Sequence, residues 1–546
     1  MDSMNEILSQ PGSREPGSRS TAGSGPTSGA GSDKATAKGG DIGSLKPLPA
    51  SEFGYAQARH LLWRAGFGGT PMQIQTLVNW GSEKSVDYLL DAEKVTYDDA
   101  SSKLFDKDIM RPPSEEERLA YQKARKSQNE DEVAKFRLER QRRERDDRAQ
   151  IQEMQKWWLK RMIETPKPLE EKMTLFWHGH FATNYRTIEN SYHMLLQNGM
   201  FRRNAMGNFG ELLFALIRDP AMLAYLDNND SRKGKANENL AREIMELFAL
   251  GIGNYGEKDI KEGARALTGF TFKDDAFEFV QGNHDGGEKQ ILNRSGNFDG
   301  DDFVRIILEQ RACAAFITRK LYSFFVSDVP PDERGGASEL PTEQRTVLKE
   351  LASTFLGAKY DLKPVLRRMF LSRHFYSPRF MAEQIKSPVQ LVVGAVRSLN
   401  VPVRDLSILN DALDLMGQNI FLPPSVKGWE GGRSWINTST LFVRQNIMAF
   451  LIAGKKPQGY DATADTQKYD PKALLAQLKP EGTAPGTTTY ASDIADYLLR
   501  LTLGHAPESA KAELVAFMTS GGKVISDDRL TGTLLLITAM PEYQLC

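Results

Sequence analysis

NENLAREIMELFALGIGNY, residues 237–255, reads as a capped helix with two unlike faces. Asn237 can accept hydrogen bonds from the free N–H groups of a first turn, and Glu238 sits where the helix dipole favours an anion. Gly251 or Gly253 can end the helix. Leu240, Ile244, Leu247 and Phe248 recur at helical spacing, whereas Asn239, Glu243 and Glu246 fall on a different face. The stretch predicts a helical protein in which an apolar stripe runs beside a row of carboxylates. Two readings of that row stand. It is a solvated face, with Glu238, Arg242 and Glu246 as an i, i+4 ladder contributing about 0.2–0.5 kcal/mol per pair, or it is the floor of a polar site.

The surrounding block, residues 166–271, alternates apolar-periodic segments with Gly, Asn and Asp punctuation and predicts a helical core. Within it lies FWHGHF, residues 176–181, with two of the seven histidines of the chain. His178 and His180 would lie about 200° apart on a helix, so a shared metal needs extended or loop backbone there, which Gly179 permits. Zinc, iron or manganese would need further ligands, and Glu243 and Glu246 are the preferred sources. The alternative is a packed aromatic and hydrogen-bonding layer of Trp177, His178, Phe181 and His193.

Three other motifs bear on chemistry. His284 and Asp285 sit in AFEFVQGNHDGGEKQIL, whose alternation about Asp-Gly-Gly predicts a β-hairpin; Asp285 reads as turn chemistry, and His284 stays open as a metal ligand. KGWEGGRSWINTST, residues 427–440, offers Trp429 and Trp435 for stacking on a sugar or peptide and Arg433 for an anionic group; the competing reading is a Gly-rich loop pinned by buried indoles. GIGNYG follows a helix, so it lacks the strand that a dinucleotide fingerprint requires and reads as a helix stop.

Composition narrows the classes. Among 546 residues, 40% are hydrophobic and 26% charged, the usage of a soluble globular chain. A formal net charge of −1 gives no global field for nucleic acid or anionic membrane. Two cysteines, Cys313 and Cys546, exclude a disulfide framework and a Cys-rich zinc site. No apolar run approaches the roughly 20 residues that span a bilayer, and no secretory signal is evident at the start, so the expected address is cytoplasmic. Residues 1–50, rich in Gly, Ser, Pro and Thr, predict a disordered leader. Residues 51–454 then form the core domain, carrying a charged helical arm over 113–163 and a β-hairpin over 272–293. A loop or linker over 455–490 precedes C-terminal helices over 491–546 that pack on the core. In ARHLLWRAGFG, His60 and Arg64 lie one turn apart and could face a pocket. The expected fold is mainly α, a multi-helix globular domain with a small β-hairpin and a disordered N-terminal leader.

Seven segments together resemble the domain-of-unknown-function 1800 family: FWHGHF, RDPAMLAYLDN (218–228), NENLAREIMELFALGIGNY, ARALTGF (264–270), HDGGEK (284–289), NFDGDD (297–302) and VKGWEGGRSWINTST (426–440). The likeness runs from about Tyr55 to Cys546 and looks like the form of planctomycete-type bacteria; the charged insertion at 113–150 departs from it. The resemblance implies a mostly helical bacterial protein whose gene often lies beside one for a member of the domain-of-unknown-function 1501 family, itself similar to sulfatases and alkaline phosphatases. It implies no established activity or catalytic residue. Because that neighbour often bears an export signal, co-export with it is open.

Two functions follow as expectations. The first is a metal-dependent hydrolase. His178, His180, Glu243 and His284 would hold a divalent metal ion, Glu243, Glu246 and Glu238 would move protons, and Trp429, Arg433, Trp435, Asn239 and Arg242 would contact substrate. The second is a non-catalytic assembly or carrier partner of the 1501-family protein, with the charged arm as its exposed feature.

Overall fold

The computed structural model describes residues 43–95, 97, 104–329, 340–456, 467–478, 488–522 and 524–546. The fold is mainly α, with two small antiparallel hairpins. Local sequence sets the helix starts: Thr70 accepts from the Gln73 N–H with Pro71 at the first helical position, and Ser387 accepts from Gln390 N–H ahead of Pro388. The apolar stripes of these helices close over one contiguous core that includes Trp158, Trp177, Phe181, Phe248 and Tyr322.

Four arginines, Arg59, Arg64 and Arg404 buried and Arg397 half-buried, share one role in this core. Arg59 donates to Leu501 O (2.7 Å) and to Thr502 O, at the end of Thr488–Leu503. Arg64 donates to Val326 O (3.2 Å) past Arg311–Phe325 and to Phe380 O (2.7 Å). Arg397 donates to Ile163 O (2.7 Å) and Thr165 O (3.1 Å) at the end of Glu130–Glu164, and Arg404 to Leu451 O (2.8 Å) in Thr438–Ala453. Four arginines thus satisfy the orphan carbonyls that helix ends leave behind, where the dipole is negative. Arg64 is therefore a cap inside the core, not a group facing a pocket, and His60 beside it bonds the Phe375 carbonyl.

A second buried device ties the arm to the FWHGHF helix, Pro168–His180. The arm is a hairpin of Glu115–Lys126 and Glu130–Glu164, joined through the edge contact of Tyr121 with Phe136. Its distal part is exposed; from Asp147 onward the long helix enters the core. There the fully buried Glu171 accepts from Trp158 Nε1 (2.9 Å), from Arg202 (2.7 and 3.0 Å) and from Arg161. Burial alone would raise the carboxyl pKa; the charges and hydrogen bonds of Arg202 and Arg161 outweigh it and hold it below its usual range.

Three boundaries are corrected. The leader expectation lies outside the described residues as far as 42, but from 43 to 50 the chain is packed: Leu45 and Leu48 are buried, and Leu48 N–H bonds Leu371 O (2.8 Å). Two apolar side chains and a backbone partner suffice to order this stretch. The hairpin expected about Asp285 is instead two hairpins. Phe270–Lys273 pairs with Ala276–Phe279, and Lys289–Ile291 with Arg294–Gly296. Their turns fall at Asp274 and at Leu292–Asn293, which adopt positive φ, and Asp-Gly-Gly lies in the loop between them. In the expected linker, residues 467–478 pack: Tyr469 bonds Leu399 O (2.8 Å) and Leu474 is buried. Among the described residues no helix is long and apolar enough to cross a membrane.

Candidate functional site

Three of the motifs converge: the end of the FWHGHF helix, the 237–255 stretch and the KGWEGG loop. The 237–255 stretch is not one regular helix. Asn237 Oδ1 accepts from Asn239 N–H (2.9 Å), an α-helical turn spans Asn239–Glu243, and Ile244–Ala249 is π-helical. The Leu250 and Gly251 N–H groups both reach back to Met245 O (3.1 and 3.0 Å), and Gly251 and Gly253 at positive φ stop the helix. Leu240, Ala241, Ile244, Met245, Phe248 and Ala249 are buried, while the wider turn leaves Leu247 half-buried and Glu243 and Glu246 at the surface boundary.

His178 and His180 occupy the last turn of Pro168–His180, so the extended backbone that a shared metal needs is not what this segment adopts. The two rings face different neighbours. His178 lies 5.5 Å from each of the Trp158, Phe421 and Trp429 rings, and its Nε2 accepts from Phe421 N–H (3.1 Å). His180 stacks on Phe176 at 5.8 Å, and its Nε2 donates to Phe248 O (2.9 Å). Burial pushes both pKa values down to about 3, with Lys320 adding to the effect at His180. Phe421 N–H can only donate and Phe248 O can only accept, so His178 carries its proton on Nδ1 and His180 on Nε2. Neutral rings in opposite tautomers are packing groups that bring their own polar partners.

The KGWEGG loop seats directly on this helix end. Gly428 adopts φ +77°, and a Cβ there would fall 2.0 Å from Gly179 O; a Cβ on Gly179 would meet the Trp429 ring at 3.5 Å. The two glycines permit a backbone-to-backbone approach. Trp429 buries its Nε1 without a hydrogen-bond partner among the described residues. Trp435 is buried and Arg433 is exposed.

The carboxylates divide. Arg242 clips Glu238 and Glu257 at 3.0 Å each, and Asn239 is exposed, so this edge is a solvated ion-pair cluster of modest worth. Glu246 accepts from the Tyr255 hydroxyl (3.0 Å) in place of the expected Arg242. Glu243 is half-buried; burial first and then Glu246 raise its pKa, while Arg242 and Lys427 pull it back. Tyr225 is close enough to sense the Glu243 charge. Lys427 and Tyr225 complete this site, and no spacing in the sequence links them to Glu243.

His284 belongs elsewhere: its Nδ1 bonds Thr268 O (2.9 Å) beside the Arg265–Asp285 ion pair (2.8 Å). His193 packs against Phe272 and bonds Asp274 O at the tip of the first hairpin. Among the described residues no three His, Cys, Asp or Glu side chains gather in a group that could hold a metal ion. The structure thus brings Glu243, Glu246 and Trp429 near the histidine helix but does not assemble His178, His180, Glu243 and His284.

No curated protein and no solved structure matches the chain. Residues 60–545 match the family model described as protein of unknown function (DUF1800), and with nearly its whole length covered, the chain belongs to the domain-of-unknown-function 1800 family.

Proposed function

We propose that this chain acts by binding, as a non-catalytic assembly or carrier partner of a 1501-family protein. The observation that carries this reading is that both FWHGHF imidazoles spend Nε2 on backbone groups inside an aromatic layer. The motif that would have carried hydrolysis is then a device for joining helices. The charged arm supports it further: Leu119 and Leu138 are 57% and 64% exposed on helices otherwise rich in mixed charge. The partner itself is inferred from the family resemblance, and the two would meet in the cytoplasm before any joint export. Co-expression of both proteins with a tag on one tests the reading. A complex that survives gel filtration at micromolar concentration, and that Leu119→Glu with Leu138→Glu weakens, is expected; two separate peaks would contradict it.

One observation favours a metal-dependent hydrolase as a second reading. Glu243 and Glu246 lie together at the edge of the core, and the Glu243 carboxylate has no hydrogen bond or ion pair among the described residues. A divalent metal held there would polarise a water, with Glu238 or Glu246 as the proton acceptor. Metal analysis of the purified protein, His178→Ala and Glu243→Ala separates the readings. Stoichiometric metal that the substitutions remove supports hydrolysis, and no metal in all three removes it.

A further inference from the structure

Of residues 541–546, Pro541 and Glu542 are exposed, Leu545 is half-buried, and Tyr543, Gln544 and Cys546 are buried. Tyr543 and Cys546 are each 1% exposed, and Ile385 and Leu545 form an isolated antiparallel bridge. On either side of that bridge Lys386 N–H donates to Gln544 O (2.8 Å) and Cys546 N–H to Gln384 O (2.9 Å). The side chains that this segment meets are cationic. Lys386, fully buried, donates to Tyr543 O (2.5 Å) and lies over the Tyr543 and Trp63 rings at 4.0 and 4.2 Å. Arg444, also fully buried, donates to Gln544 Oε1 (3.0 Å) and to Lys386 O (2.8 Å).

Among the described residues Tyr543 O is the only hydrogen-bond acceptor of the Lys386 ammonium, and Gln544 the only side chain bonded to Arg444. Among the described residues neither cation has a carboxylate side chain within ion-pair distance, and burial pushes both pKa values down. Cys546 opposes that loss of charge at Lys386, and likewise at Arg59, Arg64 and Lys172. Leaving a buried cation without its acceptors is strongly destabilising, whereas an apolar side chain of similar volume needs none.

We infer that 541–546 is a fold-closing strap, whose backbone and Gln544 side chain supply the polar partners that the buried cations Lys386 and Arg444 require. Without the strap the Lys386 ammonium loses its acceptor and Arg444 its side-chain partner, and with the strap these bonds hold the segment in place. Stability of the whole helical body is coupled in this way to one six-residue segment, so any event that lifts the segment loosens the core behind it.

Thermal unfolding of the full chain and of a chain lacking 541–546, each with and without Lys386→Met and Arg444→Met, reads this coupling. The truncated chain is expected to melt lower. The two substitutions are expected to lower Tm in the full chain and to raise it in the truncated one. A truncated chain with the parent Tm, or one that the substitutions fail to raise, overturns the inference. Should the truncated chain not fold, Gln544→Ala in the full chain gives the same reading: Arg444→Met must then cost a smaller Tm loss than in the parent. An equal loss in both backgrounds overturns the inference as well.

Discussion

The Nε2 atom of His180 lies 2.9 Å from the carbonyl oxygen of Phe248, and this bond joins the last turn of the FWHGHF helix to the π-helical turn of the 237–255 stretch. Replacing His180 by Ala removes a ring stacked on Phe176 and packed against Phe181 and Phe248, and leaves a buried carbonyl without its donor. Denaturant unfolding is expected to show a loss of about 3–5 kcal/mol, the range for an aromatic truncation in a core. A loss below about 1 kcal/mol would mean that the layer does not depend on this ring.

Gly428 and Gly179 make a matched pair of substitutions. Gly428→Ala puts a methyl 2.0 Å from Gly179 O at a φ of +77°, whereas Gly179→Ala meets only ordinary contact with the Trp429 ring at 3.5 Å. The first is expected to destabilise by about 2–4 kcal/mol through overpacking and backbone strain. The second stays within about 1 kcal/mol, the cost of a tolerated helix substitution. Urea midpoints of the two variants check the contrast, and equal effects would contradict the seating of the KGWEGG loop.

Glu171→Gln is expected to cost about 3–5 kcal/mol, because the buried Arg202 loses its counter-charge and Arg161 loses the nearer of the two carboxylates it pairs with. The pH dependence has a definite sign. The folded-state pKa of Glu171 lies below the usual 4.5, so its contribution is present above pH 4.5 and lost as pH falls through the depressed value. Unfolding midpoints from pH 7 down to pH 3 should therefore converge between parent and variant; a constant gap would contradict the ion-pair account.

Asp219 has the opposite sign. It caps Pro220–Tyr225 by accepting from Met222 N–H (2.9 Å) and also accepts from Gln197 (2.7 Å), yet burial pushes its pKa from 3.8 up to about 7. The folded state holds the proton more tightly than the unfolded state, so stability declines as pH rises from about 4 to 7, with a slope approaching about 1.4 kcal/mol for each step of one in pH. Asp219→Asn keeps an acceptor at the cap and removes the charge. Its stability relative to the parent should rise between pH 4 and pH 8, and a flat difference would refute the burial argument.

Much of the architecture was legible in side-chain period and in capping residues. The mainly helical fold, the arm and the glycine stop after Ala249 follow from apolar spacing and from Thr70–Pro71, Gly251 and Gly253. What stayed hidden depends on contacts between distant segments. An i, i+3, i+4 pattern cannot announce that Ile244–Ala249 widens into a π-turn, which redistributes Leu247 and Glu246 around the axis. Alternation on both sides of Asp-Gly-Gly suggested one hairpin, but positive φ at Asp274, Leu292 and Asn293 turns the chain twice. Arg64 read as a group that could face a pocket because the carbonyls it caps belong to segments far away in sequence. At the candidate site, Glu243 and Glu246 were legible on one face, while Lys427 and Tyr225 join them only through the fold.

The central claim is that the FWHGHF histidines are neutral packing groups that need no metal. Nitrogen-15 NMR of histidine-labelled protein, titrated from pH 8 to pH 5 and then with zinc, tests it most directly. The structure predicts an Nδ1–H tautomer for His178 and an Nε2–H tautomer for His180, with neither ring titrating in that range, since burial holds both pKa values near 3, and neither shifting with zinc. A ring that titrates near the ordinary value of about 6.5, or that shifts on addition of one equivalent of zinc, would contradict it.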